Sequence, residues 1–217
     1  MNEALFHLAG ISFAYDPARP VLDQIDFALH AGERVALSGA NGAGKTTLLH
    51  LMVGLLKPSS GRIVAFGRER RKEADFHDVR AQAGFLFQES DDQLFCPTVL
   101  EDVAFGPLNQ GLSRTQAKQA ANDALTQVGL DGFGERVTHK LSGGQKRLVA
   151  LASILAMTPK VLLLDEPTNA LDREARTRLL TILSGLPQAM VIISHDDAAQ
   201  EILATRRVTL EDARLLD

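Results

Sequence analysis

Apolar residues fall along this chain in runs of different period, and each period predicts its own element. Residues 5–13 and 24–29 alternate apolar and polar positions well enough for strands, and 34–38, reached through Ala31-Gly32, predicts a third. Residues 45–55 carry apolar side chains at 48, 49, 51, 52 and 55 and run toward Pro58, the pattern of a helix with a stop. Residues 62–66 and 84–87 predict short strands, and 114–128 a helix closed by Gly129. A Gly-rich loop then leads to Leu141. After it come a helix over 143–157, a wholly apolar strand over 161–164, a helix over 173–183, a strand over 190–194, and a last helix and strand. Short apolar strands alternating with helices predict a parallel sheet covered on both faces. Residues 89–157 interrupt that alternation and read as a mostly helical insertion.

Composition narrows the picture. The 217 residues suffice for one cored domain, and with no Trp and a single Tyr the core must be aliphatic. A net charge of −4 argues against a nucleic-acid partner. The one basic cluster, Arg68-Glu69-Arg70-Arg71-Lys72, reads as a solvated loop or hairpin end. A lone Cys96 excludes an internal disulfide and reads as a small half-buried side chain. Met1-Asn2-Glu3-Ala4 lacks the start of a signal peptide, and the most apolar stretch, 148–157, is far shorter than the roughly 20 residues that span a bilayer. A cytoplasmic protein is expected.

The chemistry begins at Gly39-Ala40-Asn41-Gly42-Ala43-Gly44-Lys45-Thr46-Thr47, which follows a strand and opens a helix. Glycines let successive N–H groups curl inward onto phosphate oxygens, and the helix N-terminus adds its positive end. Lys45 reaches the terminal phosphates and the Thr46 hydroxyl can ligate Mg²⁺, so the pattern predicts an ATP-type P-loop. A second element ends the strand at 161–164: Asp165-Glu166, with Pro167 breaking the ladder. Carboxylates at the carboxyl end of a parallel strand sit where such sheets bind ligands. Asp165 is placed to hold Mg²⁺ through water, and Glu166 to polarise the attacking water.

Leu141-Ser142-Gly143-Gly144-Gln145 opens a helix upstream of that strand, and here the sequence resembles the ABC ATPase family nearly end to end. By itself the run is also a helix N-cap. The resemblance implies one α/β P-loop domain over 1–217, with a mixed sheet core, an N-terminal antiparallel β part and a helical subdomain over 89–157. It implies head-to-tail pairing with a second copy or a paralogue, so that Ser142, Gly143, Gly144 and Gln145 cap the γ-phosphate on the partner's P-loop. Tyr15 looks like the aromatic that stacks on adenine, with a core role as the competing reading. Gln88 looks like the Gln that touches Mg²⁺ and water. Asn169-Ala170-Leu171-Asp172 resembles the loop joining the two sites, with Asn169 where the family more often has Ser. His195, after the buried strand, looks like the γ-phosphate contact, while the other five His read as structural.

Residues 87–111, above all Asp91-Asp92-Gln93-Leu94-Phe95 and Phe105-Gly106-Pro107-Leu108-Asn109, resemble the ATPases of energy-coupling-factor importers for cobalt and nickel. That implies a transmembrane partner contacted around residues 91–109, with Glu101 and Asp102 facing it, and a peripheral place on the inner face of the membrane. It also implies a separate substrate-binding subunit, since His and Cys show no metal-ligand spacing. With an end near Asp217, the additional regulatory domain of some relatives is not expected. A vitamin importer such as one for biotin, or another ABC transporter, is the alternative; a nucleotide-sensing module without turnover is the rival of another class. A P-loop kinase would lack the signature helix, and a chromosome-maintenance ATPase would need long heptad arms.

Overall fold

A computed structural model describes residues 4–216, so the reading of Met1 to Glu3 as free of a leader lies outside the described residues. The strands form two sheets. β1 (Ala4–Phe13), β2 (Leu22–His30), β4 (Ser60–Ala65) and β5 (Arg68–Arg70) make an antiparallel sheet in the order β2-β1-β4-β5. The other sheet runs β10-β9-β3-β8-β7-β6, from β3 (Arg34–Ser38), β6 (Ala83–Leu86), β7 (Val161–Asp165), β8 (Ala189–Ile193), β9 (Arg206–Glu211) and β10 (Arg214–Leu216). Five of these strands are parallel; β10 pairs antiparallel to β9, so the sheet is mixed. The apolar runs form the parallel part, and with that edge the sheet is the mixed one that the resemblance implies.

Wholly apolar strands are buried on both faces, and alternate side chains enter different cores. From β7, Leu162 and Leu164 join a cluster with α3 (Val99–Asn109), α4 (Arg114–Gln127), α5 (Gly143–Leu155), α6 (Arg173–Gly185) and α7 (Asp197–Leu203). Val161 and Leu163 join the cluster made with the antiparallel sheet and α1 (Lys45–Met52). Register aligns the strand ends: Ile193 stands opposite both Leu37 and Asp165. The loops that leave β3, β7 and β8 therefore emerge together, where parallel sheets place their ligands.

One local reading is corrected, that of the basic cluster, and one element gains its bounds. The mostly helical insertion expected after Gln88 contains α3. Its start is fixed by Thr98 and Glu101: the Glu101 amide donates to Thr98 Oγ1, and the Thr98 amide and hydroxyl donate to Glu101 Oε2. Pro107 lies inside the helix, where packing outweighs its poor local fit. The basic cluster is not all solvated. Arg70 is buried and donates to the Ala65 and Asp75 carbonyls and to the Asp78 carboxylate, closing β5 onto α2 (His77–Gln82).

Candidate active site

The loop between β3 and α1 keeps its shape because glycine is required there. Gly39 has φ +142°, and a Cβ on it would meet the Leu210 carbonyl oxygen at 2.4 Å. Gly44, φ +106°, would bring a Cβ to 2.7 Å from the Val21 side chain. The curl folds Lys45 inward: it is buried, and its Nζ donates to the Gly39 carbonyl at 2.8 Å and the Ala40 carbonyl at 2.9 Å. Burial holds the ammonium below its ordinary range, against the opposing pull of Glu166 and Asp165.

Asp165 closes the other side. It is 2% exposed and its Oδ2 accepts from the Thr46 hydroxyl at 2.7 Å. Burial pushes its carboxyl above the usual range, against the Thr46 hydrogen bond and the charges of His50, Lys45 and Arg147. Glu166 follows in the left-handed region, φ +47°, which turns its side chain off the sheet end toward His195. Its Oε2 accepts from the His195 amide at 3.3 Å, and its Oε1 lies 3.4 Å from His195 Nε2. Pro167 follows outside β7.

A cleft of about 660 Å³ gathers Tyr15, Lys45, Thr46, Gln88, Asp165, Glu166 and His195. Asn41, Gly42, Gly44, Thr47 and Asn169 also line it. Tyr15 is 66% exposed, with its hydroxyl 3.2 Å from Thr47 Oγ1 and its ring edge-on to Phe13, so it is no core residue. Ser142, Gly143, Gly144 and Gln145 do not line that cleft. Ser142 caps α5: its Oγ accepts from the Gln145 amide at 3.3 Å, while its own amide donates to Gln145 Oε1 at 3.1 Å.

Sequence reasoning missed Val21, which lines the cleft, and Arg147, whose guanidinium reaches the carbonyls of Phe87 and Gln88. Arg147 follows Lys146 on an ordinary helical pattern, and nothing in the sequence marks it as buried. It missed equally the pair of Arg176 with Asp196, which ties α6 to the turn after His195.

The segment expected at a membrane partner divides. Phe95, Phe105 and Leu108 are exposed, and Phe95 and Phe105 share a groove of about 620 Å³ with Leu55, Phe85 and Met157. Leu94 packs on the core instead. Asp102 is buried, its Oδ1 accepting from the Phe95 and Cys96 amides at 3.1 Å, and Glu101 is engaged in the helix cap. Burial beside Asp102 pushes the Cys96 thiol up to about 11, as an inert thiol requires.

The donor set fits a magnesium nucleotide. Thr46 and Asp165 present hard oxygens in contact with each other, and Glu166 Oε1 is buried without a hydrogen-bond donor. Among the described residues no cluster of three His, Cys, Asp or Glu could hold a metal unaided.

Comparison with known proteins bears on this arrangement. A family model described as ABC transporter matches residues 22–169. A provisionally named ABC transporter ATP-binding protein of Brucella suis biovar 1 (strain 1330) is 55% identical over 212 residues, covering 98% of this chain and 88% of that protein. The cobalt import ATP-binding protein CbiO of Rhodobacter capsulatus is 43% identical over 213 residues, covering 95% of this chain and 75% of its own. Among solved structures, an ATP-binding cassette determined as a dimer in a post-hydrolysis state with ADP and Pi superposes with a TM-score of 0.88 at 25% identity, covering 97% of this chain and 96% of that one.

Proposed function

This chain belongs to the ABC transporter family as an ATP-hydrolysing subunit, and from that premise we propose that it drives an importer of the energy-coupling-factor type. The observation that carries the reading is the convergence of Lys45, Thr46, Asp165, Glu166 and His195 in one cleft at the carboxyl ends of parallel strands.

Each residue has a part. The amides of residues 39–47 and the Lys45 ammonium hold the phosphates, and Tyr15 offers its exposed ring to the adenine. Thr46, Asp165 and Gln88, which line the same cleft, would hold Mg²⁺, and the ion would supply charge neutralisation to the phosphates. Glu166 is the base: its carboxylate lines the cleft, where it accepts a hydrogen bond from water and aims that water at phosphorus. His195, whose amide and Nε2 flank the Glu166 carboxylate, contacts the γ-phosphate.

Ser142 to Gln145 lie outside the cleft, so their helix N-terminus serves a second subunit's nucleotide, and the working unit is a pair. The dimeric cassette of the same fold supports this. The chain acts as one ABC ATPase domain, with residues 89–157 as its helical subdomain. No helix among the described residues is long and apolar enough to cross a membrane, so the membrane passage belongs to other subunits, as does recognition of the cargo. The groove with Phe95 and Phe105 is the docking face for the transmembrane subunit, and the chain works at the inner surface of the membrane. Divalent cobalt or nickel is the cargo favoured by the segment over 87–111 and by the cobalt-import relative; a vitamin such as biotin is the second reading.

Phe95→Asp with Phe105→Asp should release the chain from its membrane partner while ATP affinity stays within about twofold, since neither residue lines the cleft. Co-purification from gently solubilised membranes reads the first effect, and uptake of radiolabelled cobalt, nickel and biotin identifies the cargo. A variant that stays attached and transports normally would remove the docking face.

A further inference from the structure

Arg147 is 4% exposed, five residues beyond the Ser142 cap of α5. A buried guanidinium costs stability that an apolar side chain of the same length would not. Its Nε has no hydrogen-bond partner, so the fold alone does not account for it. What it grips is specific. Nη1 donates to the Phe87 carbonyl at 2.6 Å, and Nη2 donates to the Gln88 carbonyl. These carbonyls belong to the peptide planes on either side of the Gln88 Cα. A planar fork that holds both fixes φ and ψ there, and so the direction in which the Gln88 side chain leaves the backbone.

Other ties bind the same strap to the same helix. Lys146 Nζ meets Asp91 Oδ1 at 2.6 Å. Gln93 Nε2 donates to the Ala150 carbonyl at 3.0 Å and to Ser153 Oγ at 3.2 Å, while its Oε1 accepts from the Phe87 amide at 3.3 Å. Residues 87–93 are thus fastened along α5, whose first turn carries Ser142, Gly143, Gly144 and Gln145.

We propose that Arg147 is a positioning residue that makes the orientation of Gln88 in the nucleotide cleft follow helix α5. The signature end of the helix and the Gln88 side chain then move as one body, and a shift sensed at either is felt at the other. This rests on the reading of Gln88 as a residue of the reaction.

A double-mutant comparison tests it. Arg147→Met keeps the length of the stem, Arg147→Lys keeps the charge without the fork, and Gln88→Ala removes the positioned group. Each single change should lower kcat about tenfold, with ATP affinity within about twofold of the parent. The Arg147→Met, Gln88→Ala double variant should turn over no more slowly than Gln88→Ala alone, because Arg147 acts through Gln88. Amide hydrogen exchange over residues 87–93 should rise in both Arg147 variants and stay unchanged in Gln88→Ala. Losses that multiply in the double variant, or exchange in the strap that does not respond to Arg147, would overturn the proposal and leave Gln88 its role. Parental turnover by Gln88→Ala would instead remove the Gln88 reading, and the proposal with it. Where Arg147→Met fails to fold, the same comparison runs with Arg147→Lys, and parental turnover and exchange in that variant overturn the proposal too.

Discussion

Asp165 is held charged in a place that favours its neutral form. Burial raises its folded pKa, so the ionised carboxylate weakens the fold at every pH above that value, and the penalty fades as pH falls through it. Asp165→Asn keeps an oxygen to accept from Thr46 and removes the charge. Without nucleotide, the variant should melt a few degrees above the parent at neutral pH, with the gap closing in acid, while hydrolysis is lost. Scanning calorimetry beside a phosphate-release assay reads both, and a lower melting point would show that the Lys45 and His50 charges outweigh burial. This residue was legible in the sequence because its strand and its neighbour Glu166 are contiguous with it, as are all the members of the phosphate loop. Arg147 was not, for its partners are backbone carbonyls about sixty positions away, and a carbonyl leaves no trace in a residue pattern.

Between elements, the join of α6 to α7 decides how firmly His195 is held. Arg176 grips both carboxylate oxygens of Asp196, which also caps α7 by accepting from the Ala199 amide at 3.2 Å. The hydrogen bond from Arg176 holds the Asp196 carboxyl below its ordinary range. A depressed folded pKa adds stability that is complete above the unfolded value, about 3.9, and is lost as pH falls through the folded one. Asp196→Asn preserves the cap and deletes the charge. The variant should melt lower at pH 7 by an amount corresponding to about 1 kcal/mol or less, and the gap should close only as pH falls from about 4 down through the depressed folded value. A deficit that persists in acid would assign the loss to packing rather than charge. At this scale α1, α5 and β7 were legible from their apolar patterns, and α5 also from its Ser142 cap. Helix α3 was expected only as part of a helical insertion without bounds, and its capping residues Thr98 and Glu101 are the signal that marks its start.

For the molecule as a whole, the pairing reading makes a separate prediction. Glu166→Gln should cut turnover at least about a hundredfold and let ATP, but not ADP, trap a dimer resolved by size-exclusion chromatography. A variant that stays monomeric in ATP and retains parental turnover would remove the head-to-tail unit. The alternation of helices with apolar strands made the layered architecture readable. The antiparallel edge at β10 was not, because a strand of three residues carries too few side chains to show a period. Pairing itself is invisible in one chain's contacts and enters through the position of Ser142 outside the cleft. Gln at position 166 keeps the left-handed backbone cost that Glu bears there, of about 1 kcal/mol, whereas Gly would shed it and Asn would lessen it. Neither replacement could serve as the base proposed for Glu166. A lineage released from the need to spend ATP would therefore drift downhill at this position, becoming sturdier and inert by a single substitution, and only continued use of the motor holds the glutamate against that slope.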